Sequence, residues 1–332
     1  MRKTKIISLL ALATTVSFGL TGCDNAKYKI GVLLPVEHSA LRTCAEGFKE
    51  ALIEAGLVEG ADFSFDIKNA GGKDADLLSM AKSLISKKDM TFGLGTGASK
   101  MLLSVSNDKG KTNPVLFSAV TDPVEARLVE SNENTTGFVC GTSDEQPILD
   151  QLRIIIEANP SADKLGILYT QSEENSVIQK NQVKQLLQQY APNVEVVEKS
   201  VTGSADVAAG ALSLASTEGI DAIYIPTDNN IAAHMGNVKD AVSSKHVLVV
   251  CGEEGMLKDG GHITISVDYK ELGKEAGRMA VEIIKNGAKP SDFPVKRMTA
   301  DQCKKVYSSA NLADAQISLP QTLLSKFTDV SK

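Results

Sequence analysis

One pattern constrains this chain more than any other. Short β-branched runs alternate with amphipathic helical stretches, and the alternation is laid down twice. Ile30-Gly31-Val32-Leu33-Leu34 is apolar throughout, as a strand covered on both faces must be. Leu41 to Ala55 follows, with Phe48, Leu52 and Ala55 on one helical face. The spacing predicts further strands at 63–67, 90–94 and 115–119, with helices at 74–86 and 100–105 between them. Hairpin turns are nearly missing, so these are parallel β-α units. The pattern then restarts: Gly137-Phe138-Val139 leads to a polar break at Thr142-Ser143-Asp144-Glu145. Helices at 148–159, 177–190, 207–216, 231–242 and 272–286 then interleave with strands at 165–169, 194–197, 222–225, 247–250 and 263–267. A chain of 332 residues suits two domains. The expectation is an α/β protein of two Rossmann-like lobes with parallel sheets.

The first residues stand apart from that pattern. Met1-Arg2-Lys3-Thr4-Lys5 is basic, and an apolar stretch from Ile6 to Leu20 follows. Its length and its Thr14, Thr15 and Ser17 suit a secretory signal better than a membrane span. It ends in Leu20-Thr21-Gly22-Cys23, which looks like a bacterial lipobox, with residues 1–22 removed and Cys23 acylated. Losing Arg2, Lys3 and Lys5 takes the net charge from −6 to −9. An acidic chain without a basic face does not suit a nucleic-acid partner. Two or more acyl chains would hold it to the extracytoplasmic face of the cell membrane.

In sheets of parallel strands, ligands sit beyond the carboxyl ends of the strands. Six loops occupy that place, and all are polar. They hold Pro35-Val36-Glu37-His38-Ser39, Gly95-Thr96-Gly97-Ala98-Ser99 and Val120-Thr121-Asp122-Pro123 in the first half. In the second half they hold 170–176, Pro226-Thr227-Asp228-Asn229-Asn230 and Cys251-Gly252-Glu253-Glu254-Gly255. Any one could be plain helix capping, which suits Ser99, Ser176 and Asn230. Six on one edge would line a cleft between lobes. Gly93-Leu94-Gly95-Thr96-Gly97-Ala98 partly fits a dinucleotide fingerprint, but it follows the third strand rather than the first, so no cofactor is expected. His38, His234, His246 and His262 are scattered, which argues against a metal site. Cys44, Cys140, Cys251 and Cys303 could pair in three ways, though buried free thiols fit better.

Taken together, the lipobox, Val36-Glu37-His38, Phe117 to Pro123, Ser172 to Ser176, Pro226 to Asn229, Gly252 to Gly255 and Asp268-Tyr269 with Leu272-Gly273 resemble substrate-binding lipoproteins of ABC importers. The resemblance is to the branch associated with tryptophan, tyrosine and phenylalanine, and it runs in order from about Lys29 to Val295. Pro35 and Arg42 depart from the family's first loop, and Asn69 to Lys73 drifts from its pattern. The resemblance implies a type I periplasmic-binding-protein fold that closes over its ligand, a permease partner in the membrane, and no catalysis. Its helix after Asp268 would return to the first lobe, giving lobes of 28–142 with 268–289 and of 143–267 with 290–332. A monomer is expected.

A free amino acid needs opposite handles. Its carboxylate suits Gly97, Ala98, Ser99 and Thr121, near helix starts. Its ammonium needs carboxylates, with Asp228 first and Asp122 or Glu253 assisting. Asn175 and Asn229 could add neutral hydrogen bonds, and Glu37 and His38 would face the side chain. A sugar ligand is disfavoured, since the chain has no Trp and the loops are poor in aromatics. Three alternatives remain: a nucleoside ligand in the same fold, a cleft enzyme using Glu37 and His38 as acid and base, and a surface adhesin.

Overall fold

The computed structural model describes residues 26–135 and 137–331. The signal sequence expected at 1–22 and the lipidation site Cys23 lie outside the described residues. No helix among the described residues is long and apolar enough to cross a membrane.

The first lobe is a parallel sheet of five strands: β1 (Tyr28–Leu34), β2 (Phe63–Asn69), β3 (Met90–Leu94), β4 (Val115–Val120) and β5 (Val139–Ser143). Their spatial order is β2-β1-β3-β4-β5. Helices α1 (Ser39–Glu54), α2 (Asp74–Lys87) and α3 (Thr96–Asp108) connect the first four. Stacked Phe48 and Phe92, with ring centroids 4.2 Å apart, fill the layer between α1 and the sheet.

The second lobe takes its strands from β6 (Lys164–Thr170), β7 (Glu195–Val201), β8 (Ala222–Ile225), β9 (Leu248–Cys251) and β10 (Ile263–Ser266). Its helices are α4 (Ile148–Ala158), α5 (Glu174–Tyr190), α6 (Val207–Ala215), α7 (Asn229–Ala232) and α8 (Met235–Val242). α9 (Tyr269–Asn286) then crosses back and packs on α1 in the first lobe. The chain finishes with β11 (Lys304–Tyr307), α10 (Ser309–Asp314), α11 (Gln321–Leu324) and β12 (Thr328–Asp329). The second sheet has the order β12-β11-β10-β9-β8-β6-β7.

Three sequence expectations need correction. β11 runs antiparallel to β10, so the second sheet is mixed rather than purely parallel. The strand-to-strand connection there is a long excursion through the first lobe, which frees the returning chain from the right-handed crossover that forces parallel pairing. Residues 290–296, expected in the second lobe, run along the first: Lys296 N–H donates to the Gly141 carbonyl at 3.1 Å and covers the edge of β5. The polar break at 142–145 is instead the end of β5 and the first crossing between lobes, buried from Thr142 to Asp144 with Glu145 exposed. Its polarity is internal: Ser118 and Thr142 hydroxyls lie 2.6 Å apart, and the Ser143 hydroxyl donates to the Thr121 carbonyl at 3.0 Å.

Two other crossings run beside it, at 267–268 and between residues 296 and 304. Gln146 ties two of the three together, accepting from Val267 N–H at 3.2 Å and donating to the Tyr269 hydroxyl at 3.3 Å. The carboxyl ends of both sheets therefore face each other across a cleft with a strapped hinge at its back.

Candidate functional site

The cleft is walled by both lobes and closes down to a cavity of about 10 Å³. His38 and Leu41, from the start of α1, and Ala119, from the end of β4, come from the first lobe. Asn175, Thr227, Asp228, Asn229, Ala232 and Glu253 come from the second, and Asp144 and Tyr269 from the hinge. The two walls touch directly. His38 Nε2 lies 3.1 Å from Asn229 Oδ1, the Thr121 and Thr227 hydroxyls lie 3.2 Å apart, and Lys100 pairs with Glu174 at the rim. The lobes are closed on each other.

Asp228 does not play the part its position suggests. Its Oδ2 accepts from Thr170 N–H and the Ser176 hydroxyl, both at 2.6 Å. Its Oδ1 accepts from the Thr170 hydroxyl at 2.8 Å and from Ile231 N–H, in the first turn of α7, at 2.9 Å. A carboxylate offers about four lone-pair sites, and here all are taken. Asp228 binds the 226–230 loop to β6, α5 and α7. Gln179 holds the same loop from α5, donating to the Thr227 hydroxyl at 2.6 Å and accepting from Thr227 N–H at 2.8 Å.

Three other polar atoms on this cavity are shielded from solvent and have no hydrogen-bond partner: Asp144 Oδ1, Glu253 Oε1 and His38 Nδ1. Each carboxyl is fixed from behind. Asp144 Oδ2 accepts from the Tyr269 hydroxyl at 2.6 Å, and Glu253 Oε2 accepts from Gly255 N–H. Burial pushes the Asp144 carboxyl up to about 6 and the Glu253 carboxyl up to about 8, the latter raised further by Glu254 and Asp144. Burial lowers His38 to about 4, so its ring is neutral. Two mutually repelling buried carboxyls, each with a bare oxygen, make a receptor for a cation that donates hydrogen bonds.

The other expected site residues lie elsewhere. Glu37 is exposed and pairs with Arg42, so it does not face the cavity. The Asp122 carboxylate turns away to accept from Val124 and Glu125 N–H at 3.1 and 3.0 Å, an Asx turn in its own lobe. Ser99 donates back to the Gly95 carbonyl at 2.8 Å, Ala98 is on the buried face of α3, and Gly97 is exposed. Thr121 is buried, with its hydroxyl 3.2 Å from that of Thr227 and 3.5 Å from Gln179 Nε2. Asn175 does line the cavity, with its Nδ2 donating to the Thr227 carbonyl at 2.6 Å. Six lining residues, Leu41, Ala119, Asp144, Thr227, Ala232 and Tyr269, were not among the expected site residues. Asp144 sits in a polar stretch that reads as a linker, and Ala119 carries no polar signal at all. Ala119 has φ 54°, at an irregularity in β4 where an L-residue is strained, which marks a backbone shaped for something other than the sheet.

Comparison with known proteins gives the family. Residues 29–331 match the family described as ABC transporter substrate binding protein. The chain is 33% identical over 314 residues to a tyrosine-binding protein of Clostridioides difficile (strain R20291), covering 89% of this chain and 88% of that one. Among solved structures, an ABC domain from Streptococcus pneumonia in complex with L-Trp has a TM-score of 0.80 at 29% identity, covering 90% of this chain and 99% of that one. A ligand-free, open substrate binding protein with adhesive properties from Clostridium difficile has a TM-score of 0.67 at 31% identity, with 92% and 99% covered. The chain belongs to the family of ABC transporter substrate-binding proteins.

Proposed function

We propose that this protein captures an aromatic amino acid between its lobes and delivers it to an ABC permease. The observation that carries the reading is the pair of bare, buried carboxyl oxygens, Asp144 Oδ1 and Glu253 Oε1, on one closed cavity. An α-ammonium brings a positive charge and three N–H donors, and it meets both oxygens. This replaces Asp228 as the ammonium acceptor, since that carboxylate is already saturated. The similarity to a tyrosine-binding protein and to a complex with L-Trp supports an aromatic side chain. Ligand capture follows from contact with both lobes at once, which only the closed arrangement provides.

Titration calorimetry with tyrosine, tryptophan and phenylalanine tests the reading. A ligand at a hundred times its Kd stabilises the fold by about 2.7 kcal/mol, so the melting temperature rises with concentration. Glu253→Gln and Asp144→Asn should each weaken binding by roughly tenfold or more, from loss of a charge-assisted hydrogen bond. Unchanged affinity in both variants would remove the ammonium assignment.

The anchoring of the protein belongs to the same proposal. Leu20-Thr21-Gly22-Cys23 supports export, cleavage before Cys23 and acylation of that residue. Labelling with a palmitate analogue should mark the natural chain and not Cys23→Ala, which should leave the membrane fraction.

A further inference from the structure

The third unpartnered atom, His38 Nδ1, has a chemistry that the carboxyl pair leaves unused. It can be read outward from Glu173. The Glu173 carboxyl accepts from the backbone N–H of Asn229 at 2.9 Å and of Asn230 at 2.7 Å. With both oxygens receiving donors, the Asn229 side chain must turn its NH₂ towards Glu173, and it does so at 2.7 Å. Its carbonyl Oδ1 is thereby directed at His38, 3.1 Å from Nε2. A carbonyl oxygen only accepts, so Nε2 carries the hydrogen and Nδ1 presents a lone pair. Burial keeps the ring neutral, with a pKa lowered to about 4.

The neighbours of this lone pair distinguish it from the ammonium receptor. Leu41 lies one helical turn beyond His38, and Ala232 one turn beyond Asn229, so each polar group shares a helix face with an apolar wall residue. Asp144 and Glu253 instead adjoin Tyr269 at the hinge. A neutral acceptor set among apolar groups suits a neutral donor on an otherwise apolar body.

We propose that His38 selects the ligand's side chain, its Nδ1 accepting a hydrogen bond from a ring-borne donor, the phenol O–H of tyrosine or the indole N–H of tryptophan. This rests on the aromatic amino-acid reading above. His38 belongs to the first lobe, and Asn229 and Glu173 to the second, so the ring's tautomer is fixed only when the lobes meet. Phenylalanine leaves Nδ1 buried and unpaired, and closure over it is disfavoured. Selection is thereby made at closure rather than at first encounter.

Titration calorimetry of the natural chain, His38→Leu and Asn229→Ala with tyrosine, tryptophan and phenylalanine decides the matter. The natural chain should bind tyrosine roughly tenfold or more tighter than phenylalanine, the effect of one buried hydrogen bond. His38→Leu should collapse that ratio to about twofold or less, and Asn229→Ala should reduce it while leaving the ring in place. In ¹⁵N spectra addition of tyrosine should fix the Nε2–H tautomer of His38 and shift its Nδ1 resonance, and addition of phenylalanine should do neither. A ratio near one in the natural chain, a ratio that survives His38→Leu, or an equal loss for all three ligands would each overturn the proposal. Binding of none of the three would overturn the aromatic amino-acid reading together with it, whereas equal binding of tyrosine and phenylalanine sinks only the role of His38.

Discussion

At the scale of residues, four buried carboxyls near the cleft do two kinds of work, and their partners tell them apart. Asp228 and Glu173 are held by donors from the loops they join, and both are raised by burial. Asp228→Asn should therefore cost stability, about 1–3 kcal/mol for a buried group that loses acceptors and gains an unmatched NH₂. The melting temperature of the ligand-free variant measures that loss. Asp144 and Glu253 each keep one oxygen bare, and burial raises both, Glu253 the further. Glu253, near 8, is largely protonated at neutral pH in the ligand-free state, while an ammonium demands the ionised form. Binding near pH 7 should release a proton, and affinity should rise with pH between about 6 and 8, by up to about tenfold per unit. Calorimetry in buffers of different ionisation enthalpy reads the proton directly. The ligand-free fold responds in the opposite sense. The folded Glu253 holds a proton that the unfolded chain, with the ordinary value of 4.5, has lost, so its contribution to stability is present at low pH and fades as pH climbs through about 8. His38 and His262, lowered to about 4, oppose this only below about 6.5. Stability of the ligand-free protein should thus fall between pH 6.5 and 8.

At the scale of elements, α9 returns to the first lobe because two helices carry matching small residues. A Cβ on Gly273 would lie 2.0 Å from the Cys44 carbonyl oxygen in α1, and one on Gly47 would lie 2.1 Å from the Lys270 carbonyl oxygen in α9. Both are backbone atoms that cannot swing aside. Gly273→Ala or Gly47→Ala should destabilise by about 1–3 kcal/mol or more, read from denaturant unfolding. Gly97→Ala is the control, since nothing lies within 4 Å of its Cβ, and a more constrained residue in α3 should be neutral or slightly stabilising. Element boundaries show the same dependence on neighbours. The helix expected at 231–242 is broken at His234, whose Nδ1 lies 2.7 Å from the Asn230 carbonyl. The short α7 that results is what turns Asn229 and Ala232 into the cleft. Helix α3 begins at Thr96, four residues before the expected start at 100, because glycines obscure the hydrophobic period there.

At the scale of the whole molecule, closure of two lobes is both the mechanism and the cost. Shutting the cleft buries three unpartnered polar atoms, at about 1–3 kcal/mol each. Against that stand a few direct contacts, including the half-exposed Lys100–Glu174 pair, worth about 1 kcal/mol at most. Without ligand the balance favours opening, and with ligand it reverses. Small-angle scattering should show a larger radius of gyration for the ligand-free protein and a decrease on adding tyrosine; an unchanged radius would refute the balance. The sequence by itself determined the layered α/β lobes and the edge on which ligands sit, because apolar periodicity and strand-end polarity are local properties of the chain. His38, Asn175, Asp228, Asn229 and Glu253 were legible as cavity residues for the same reason. The tertiary structure alone decided which carboxyls are spent and which are bare. Hydrogen-bond saturation is a sum over partners distant in the chain, such as Tyr269 on Asp144 across 125 positions, and no local pattern of residues records it.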